Sequence, residues 1–113
     1  MTKKTITYDD MKKYPEAEGA YKKCMELNPK YHSAYYNLAI VCKARNQIQE
    51  AIKWYKKATE VYPRYSYAYN NLGNIYKNNG EYDEAIECYR NAVEHNSSYT
   101  LAWANLAICL LKV

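Results

Sequence analysis

Asn37, Asn71 and Asn105 stand 34 residues apart, each directly before a leucine. An asparagine amide offers one acceptor oxygen and two donor hydrogens. That set matches the C=O and N–H of an extended peptide backbone, so evenly spaced amides can hold a chain without reading its side chains. Asparagine also weakens a helix, because its side chain competes for backbone hydrogen bonds. Lysine or glutamate at these positions would stabilise the helix more. Three asparagines kept in one register therefore point to binding. Read this way, all three can be replaced by alanine with folding intact or slightly improved.

Other chemistry is sparse. Cys24, Cys42, Cys88 and Cys109 form no CxxC pair and have no histidine at zinc-ligand spacing, so no metal or cofactor is expected. They read as free thiols packed as small apolar groups in a reducing compartment, cytoplasmic or nucleocytoplasmic. His32 and His95 have no evident partner, and no Gly-rich phosphate loop or nucleophile–base pair appears. Glu81, Asp83, Glu84 and Glu87 suit the start of a helix, where acids meet the positive end of the dipole. The chain does not read as an enzyme. Asn96-Ser97-Ser98 matches a glycosylation sequon but reads as a turn.

Composition narrows the classes further. A net charge of +4 is spread over dispersed lysine doublets, with no basic run to suggest nucleic-acid binding. No stretch approaches the ~20 apolar residues that span a bilayer, and the N-terminus lacks the apolar core of a secretory signal. Only three glycines and three prolines argue against an all-β fold. Fifteen tyrosines with no phenylalanine mean that tyrosine does the aromatic packing, with hydroxyls reaching an edge or a partner.

The elements that must position the asparagines follow the same period. Leu38, Leu72 and Leu106 are 34 residues apart, as are Ala17, Ala51 and Ala85, and Tyr21, Tyr55 and Tyr89. Pro29, Pro63 and Ser97 add a fourth column. Each period holds two helical stripes divided by breakers. "HSAYYNLAIVCKAR" carries Tyr35, Leu38, Ala39 and Cys42 on one face. "IQEAIKWYKKATEVYP" carries Ile48, Ala51, Ile52, Tyr55, Ala58 and Val61, and Pro63 ends it. "SYAYNNLGNIYKNNG" and "EYDEAIECYRNAVEHN" repeat the pair, with Gly80 where a helix ends. The small column Ala39, Gly73, Ala107 lets backbones approach.

These columns resemble the tetratricopeptide repeat (TPR). Tyr69, Leu72, Gly73, Tyr76, Ala85, Tyr89 and Ala92 meet its pattern in residues 66–99, with Ser97 in place of the usual proline. Residues 32–65 meet it through Tyr35, Leu38, Ala39, Ala51, Tyr55, Ala58 and Pro63, with Cys42 in the tyrosine column. Residues 14–31 hold a second helix alone, with Pro15 in its first turn, and residues 100–113 a first helix alone. Residues 1–13 are expected to be irregular or a degenerate first helix. The resemblance implies an all-α fold, a right-handed superhelical stack of antiparallel helical hairpins. It implies a scaffold whose concave groove, lined by first helices, binds a protein or peptide. The asparagine column is similar to ladders in the repeat region of O-linked N-acetylglucosamine transferases and in peroxisomal targeting receptors.

Asn37, Asn71 and Asn105 then line that groove, with Tyr36, Tyr67 and Asn74 in neighbouring columns as further peptide contacts. Lys43 and Lys77 lie one turn on and favour acidic ligands. TPRs that grip a chaperone's terminal carboxylate need cations in columns that here hold Tyr36, Ile40, Leu101 and Asn105, so that mode is not expected. At the C-terminus, Trp103, Leu106, Leu110 and Leu111 are expected to form an apolar ridge able to join copies of the chain.

Overall fold

The computed structural model describes residues 8–113. Six helices follow in order: α1 (Tyr8–Leu27), α2 (His32–Ala44), α3 (Ile48–Val61), α4 (Ser66–Asn78), α5 (Tyr82–His95) and α6 (Thr100–Leu110). Pairing is tightest within α2–α3 and α4–α5, the two antiparallel hairpins, which then stack in chain order. The all-helical hairpin stack implied by the 34-residue period is the observed fold.

The hairpin turns explain why each first helix stops where it does. Asn46 (φ 61°) and Gly80 (φ 78°) are the left-handed residues, one in each turn, 34 positions apart. After them, the Gln47 N–H donates to Cys42 C=O at 2.8 Å and the Glu81 N–H to Tyr76 C=O at 2.9 Å. These bonds capture carbonyls that the helix end would leave without a partner. Glycine and asparagine take this backbone most readily, so both turns are written into the sequence.

Helix starts are fixed in a less familiar way. No side-chain cap closes α2, α4 or α6, which begin after Tyr31, Tyr65 and Tyr99. An aromatic residue in the first turn reaches back over the entry loop instead. Tyr35 Oη donates to Pro29 C=O at 2.9 Å and Tyr69 Oη to Pro63 C=O at 3.2 Å. Trp103 Nε1 does the same to Ser97 C=O at 2.8 Å. Phenylalanine cannot make this bond, which is one physical reason for the tyrosine bias.

Two apolar clusters carry the stack. Tyr35, Leu38, Ala39, Cys42, Ala51, Tyr55, Ala58, Leu72 and Ile75 join α2, α3 and α4; Ala85, Tyr89, Ala92, Leu106 and Cys109 join α5 and α6. Tyr55 and Tyr89 are the largest fully buried side chains. Gly73 sits under the Tyr89 ring, where an added Cβ would lie 2.8 Å from Cε1. That approach needs glycine. All four cysteines are free thiols, and three of them are buried.

Three expectations change. Residues 8–13 are helical and continuous with α1, so no boundary separates them from residues 14–27; the rest of the expected irregular segment lies outside the described residues. Pro15 therefore sits inside a helix and not in its first turn, leaving one rung of backbone hydrogen bonding unmade. Leu106 is 7% exposed and packs in the second cluster, because it stands in the same core-facing column as Leu38 and Leu72. It does not belong to an exposed ridge.

Candidate functional site

The first helices α2, α4 and α6 present the asparagines along one side of the stack, and the asparagines bond to the neighbouring helices. Asn71 Nδ2 donates to Tyr36 Oη at 3.0 Å, from α4 to α2. Asn105 Nδ2 donates to Asn70 Oδ1 at 3.3 Å, from α6 to α4. Both bonds span 35 residues, so one repeat's asparagine reaches the residue before its predecessor's. The same step back from Asn37, which is half-buried on α2, leads to Thr2, outside the described residues.

The network extends beyond this ladder. Asn105 Nδ2 also reaches Asn74 Oδ1 at 3.2 Å, and Asn105 Oδ1 accepts from Lys77 Nζ at 3.2 Å. Asn74 Oδ1 takes a short bond, 2.6 Å, from the hydroxyl of Tyr89. Asn71 lies 3.5 Å from Tyr55 Oη, the corresponding tyrosine of α3. Asn70 is 3% exposed. From the sequence it is a local preference without counterparts; in the structure it is the buried acceptor that receives Asn105.

These bonds argue against the expectation that Asn71 and Asn105 can be replaced by alanine with folding intact. Removing either leaves polar groups of adjacent helices without partners, and a buried one such as Asn70 costs the most. Sequence reasoning missed this because the partners are offset by one column, and reading columns one at a time conceals the diagonal.

Electrostatics follow burial. Tyr55 is pushed up to about 12, chiefly by burial, with the Asn71 hydrogen bond acting the other way. Burial likewise raises Tyr36, again opposed by Asn71. Aromatic rings extend the surface: Tyr36 packs on Tyr65 at 4.9 Å and on Tyr55 at 5.9 Å between centroids. Tyr67 meets Tyr99 edge-on at 5.1 Å and is 52% exposed.

Beside the ladder is an open cleft of about 470 Å³, lined by Ile40, Lys43, Ala44, Tyr55 and Asn71. Asn71 brings to it a carbonyl oxygen that has no partner among the described residues, since both its hydrogen bonds use Nδ2. Ile40, Leu101 and Ile108 are exposed on the first helices. Those helices contain two lysines, Lys43 and Lys77, and no carboxylate. The acids of the second hairpin sit in its turn and on α5.

Family comparison agrees with this arrangement. Models described as tetratricopeptide repeat match residues 6–31, 20–53 and 66–99, and one described as TPR repeat matches residues 40–80. The chain is a tetratricopeptide repeat protein. A search of curated proteins gives no significant match. Among solved structures, MamA is similar at 27% identity and a TM-score of 0.79, over 92% of this chain and 61% of MamA. YrrB, described as a TPR protein with an unusual peptide-binding site, is 27% identical with a TM-score of 0.75, over 82% of this chain and 48% of YrrB. The chain thus spans less than two thirds of either. The first TPR of Spaghetti (RPAP3), solved bound to an HSP90 peptide, shares the fold at 22% identity and a TM-score of 0.79, over 92% of this chain and 82% of that one. The narrower resemblance to O-linked N-acetylglucosamine transferases has no counterpart among these matches. TPR modules generally serve protein–protein interaction and are typically non-catalytic scaffolds. No helix of the described residues is long and apolar enough to cross a membrane.

Proposed function

We propose that the face formed by α2, α4 and α6 binds an extended protein segment carrying apolar and acidic side chains. The observation that carries this reading is the cleft at Ile40, Lys43, Ala44, Tyr55 and Asn71. It sets an apolar floor, a cation and a backbone acceptor within one site. Asn71 Oδ1 accepts a ligand backbone N–H while its Nδ2 stays on Tyr36. Lys43 meets an acidic side chain, and the absence of carboxylates on α2, α4 and α6 leaves the field there positive.

The asparagine column thus does two jobs. Asn71 and Asn105 tie one repeat to the next, and the amide edges left over face the ligand. Asn37 and Asn74 contact the peptide backbone in the same reading, while Tyr36 and Tyr67 supply aromatic faces. A relative described as having a peptide-binding site supports the class of ligand.

A peptide array varied in acidic and apolar content tests this. The wild type should select acidic–apolar sequences. Ile40→Asp should weaken the selected peptides at least about tenfold, or ~1.4 kcal/mol, and Lys57→Glu on α3 should not. Equal binding by all three proteins contradicts the reading.

A further inference from the structure

Between the two hairpins, on the side of their turns, lies a second cleft of about 520 Å³. Its walls come from α2, α3, α4 and the turn before α5, inside the stack. Ile75 is its one buried wall. Ile48, Ile52 and Tyr76 also line it and are only half-buried, although all three pack against the first apolar cluster. Apolar surface is thus left open to water within a concavity of the size that takes a small molecule. The groove cleft at Asn71 is separate: of its lining residues, only Lys43 also borders this one.

The charges around the second cleft do not balance. Lys43 and Lys56 line it, and neither takes part in an ion pair among the described residues. Glu81 is the single carboxylate of the lining, so two ammonium groups stand against one acid. The next repeat carries residues that reduce both the space and the charge. Lys77 and Arg90 keep the two cationic columns there, but Asp83 stands in the column of Gln49. In the column of Ile48 stands Tyr82, a larger ring that packs against the second cluster. Ile48 and Gln49 therefore leave the joint between α3 and α4 both roomier and more positive.

We propose that this cleft is a second binding site, for a small carboxylate with an apolar body. Lys43 and Lys56 hold the carboxylate at the rim, and the hydrocarbon covers Ile48, Ile52 and Ile75. An exposed ammonium group alone holds an anion weakly, so the apolar contact supplies the rest of the affinity. The same two lysines turn away an amine with the same body. Ile48 and Lys56 line this cleft and not the groove cleft, so the site stands or falls apart from peptide binding.

Methyl and amide chemical-shift titration of the full chain with octanoate tests it, with octylammonium and butyrate as controls. Octanoate should give saturable shifts at Ile48, Ile52 and Ile75. Octylammonium should give none, and butyrate, with less apolar body to bury, should bind at least about tenfold more weakly. Lys56→Glu should weaken octanoate at least about tenfold, whereas Lys57→Glu, the same charge change one residue away, should not. Ile48→Tyr, which carries the ring of the next repeat into the cleft, should block octanoate while circular dichroism shows unchanged helicity. No saturable shift, an equal response to either control, shifts centred on Ile40 instead, or undiminished binding by Lys56→Glu or Ile48→Tyr would each overturn the proposal.

Discussion

The asparagines of the first helices trade helix propensity for hydrogen bonds between helices. Each costs a few tenths of a kcal/mol relative to a better helix former, while a buried polar group left unpaired costs ~1–3 kcal/mol. The second term wins at Asn105, which bridges Asn70, Asn74 and Lys77. Asn105→Ala should therefore lower stability by about 1–3 kcal/mol in urea unfolding, although alanine favours the helix. A neutral or stabilising result would mean that these bonds contribute nothing net. The column was legible in the sequence as three asparagines in register. Its bonding was not, because Asn71 and Asn105 reach residues 35 positions back, and Tyr36 and Asn70 share no chemistry that marks them as equivalent partners.

At the scale of elements, both hairpin turns rest on one left-handed residue, Asn46 in the first and Gly80 in the second. An added side chain at Gly80 meets open space, so any penalty comes from the backbone alone. Gly80→Ala should cost ~1–2 kcal/mol, and Gly80→Asn clearly less, since Asn46 already serves that conformation. Equal urea midpoints for the two variants would show that the turn does not depend on this torsion. Helix extents were well signalled, because apolar stripes, Pro63 and Gly80 mark them directly. The start of α1 is not: β-branched residues and the missing leucine and glycine suggest an irregular segment or a degenerate first helix, whereas residues 8–13 continue α1 through Pro15. Leu106 also departs from its expected place on the exposed ridge. Its helix has an open face and a closed one, and the repeat register puts this leucine on the closed one.

The whole molecule is a stack stabilised by buried tyrosines and thiols, and this sets its response to base. Burial raises Tyr55 from its ordinary 10 to about 12 and Cys88 from 9 to about 12. The folded chain holds these protons more tightly than the unfolded chain. Their contribution is complete below about pH 9 and is lost as pH rises toward 12. The urea midpoint should fall over that window while tyrosinate absorbance appears with unfolding; a flat midpoint would show that both groups ionise in place. Amide chemical-shift mapping with an array-selected acidic–apolar peptide reads out which side of the stack meets a partner. Shifts should concentrate on α2 and α4 around Ile40, Lys43 and Asn71, with the outward face of α3 at Lys53 and Lys57 silent. Shifts confined to that outward face would contradict binding on α2 and α4.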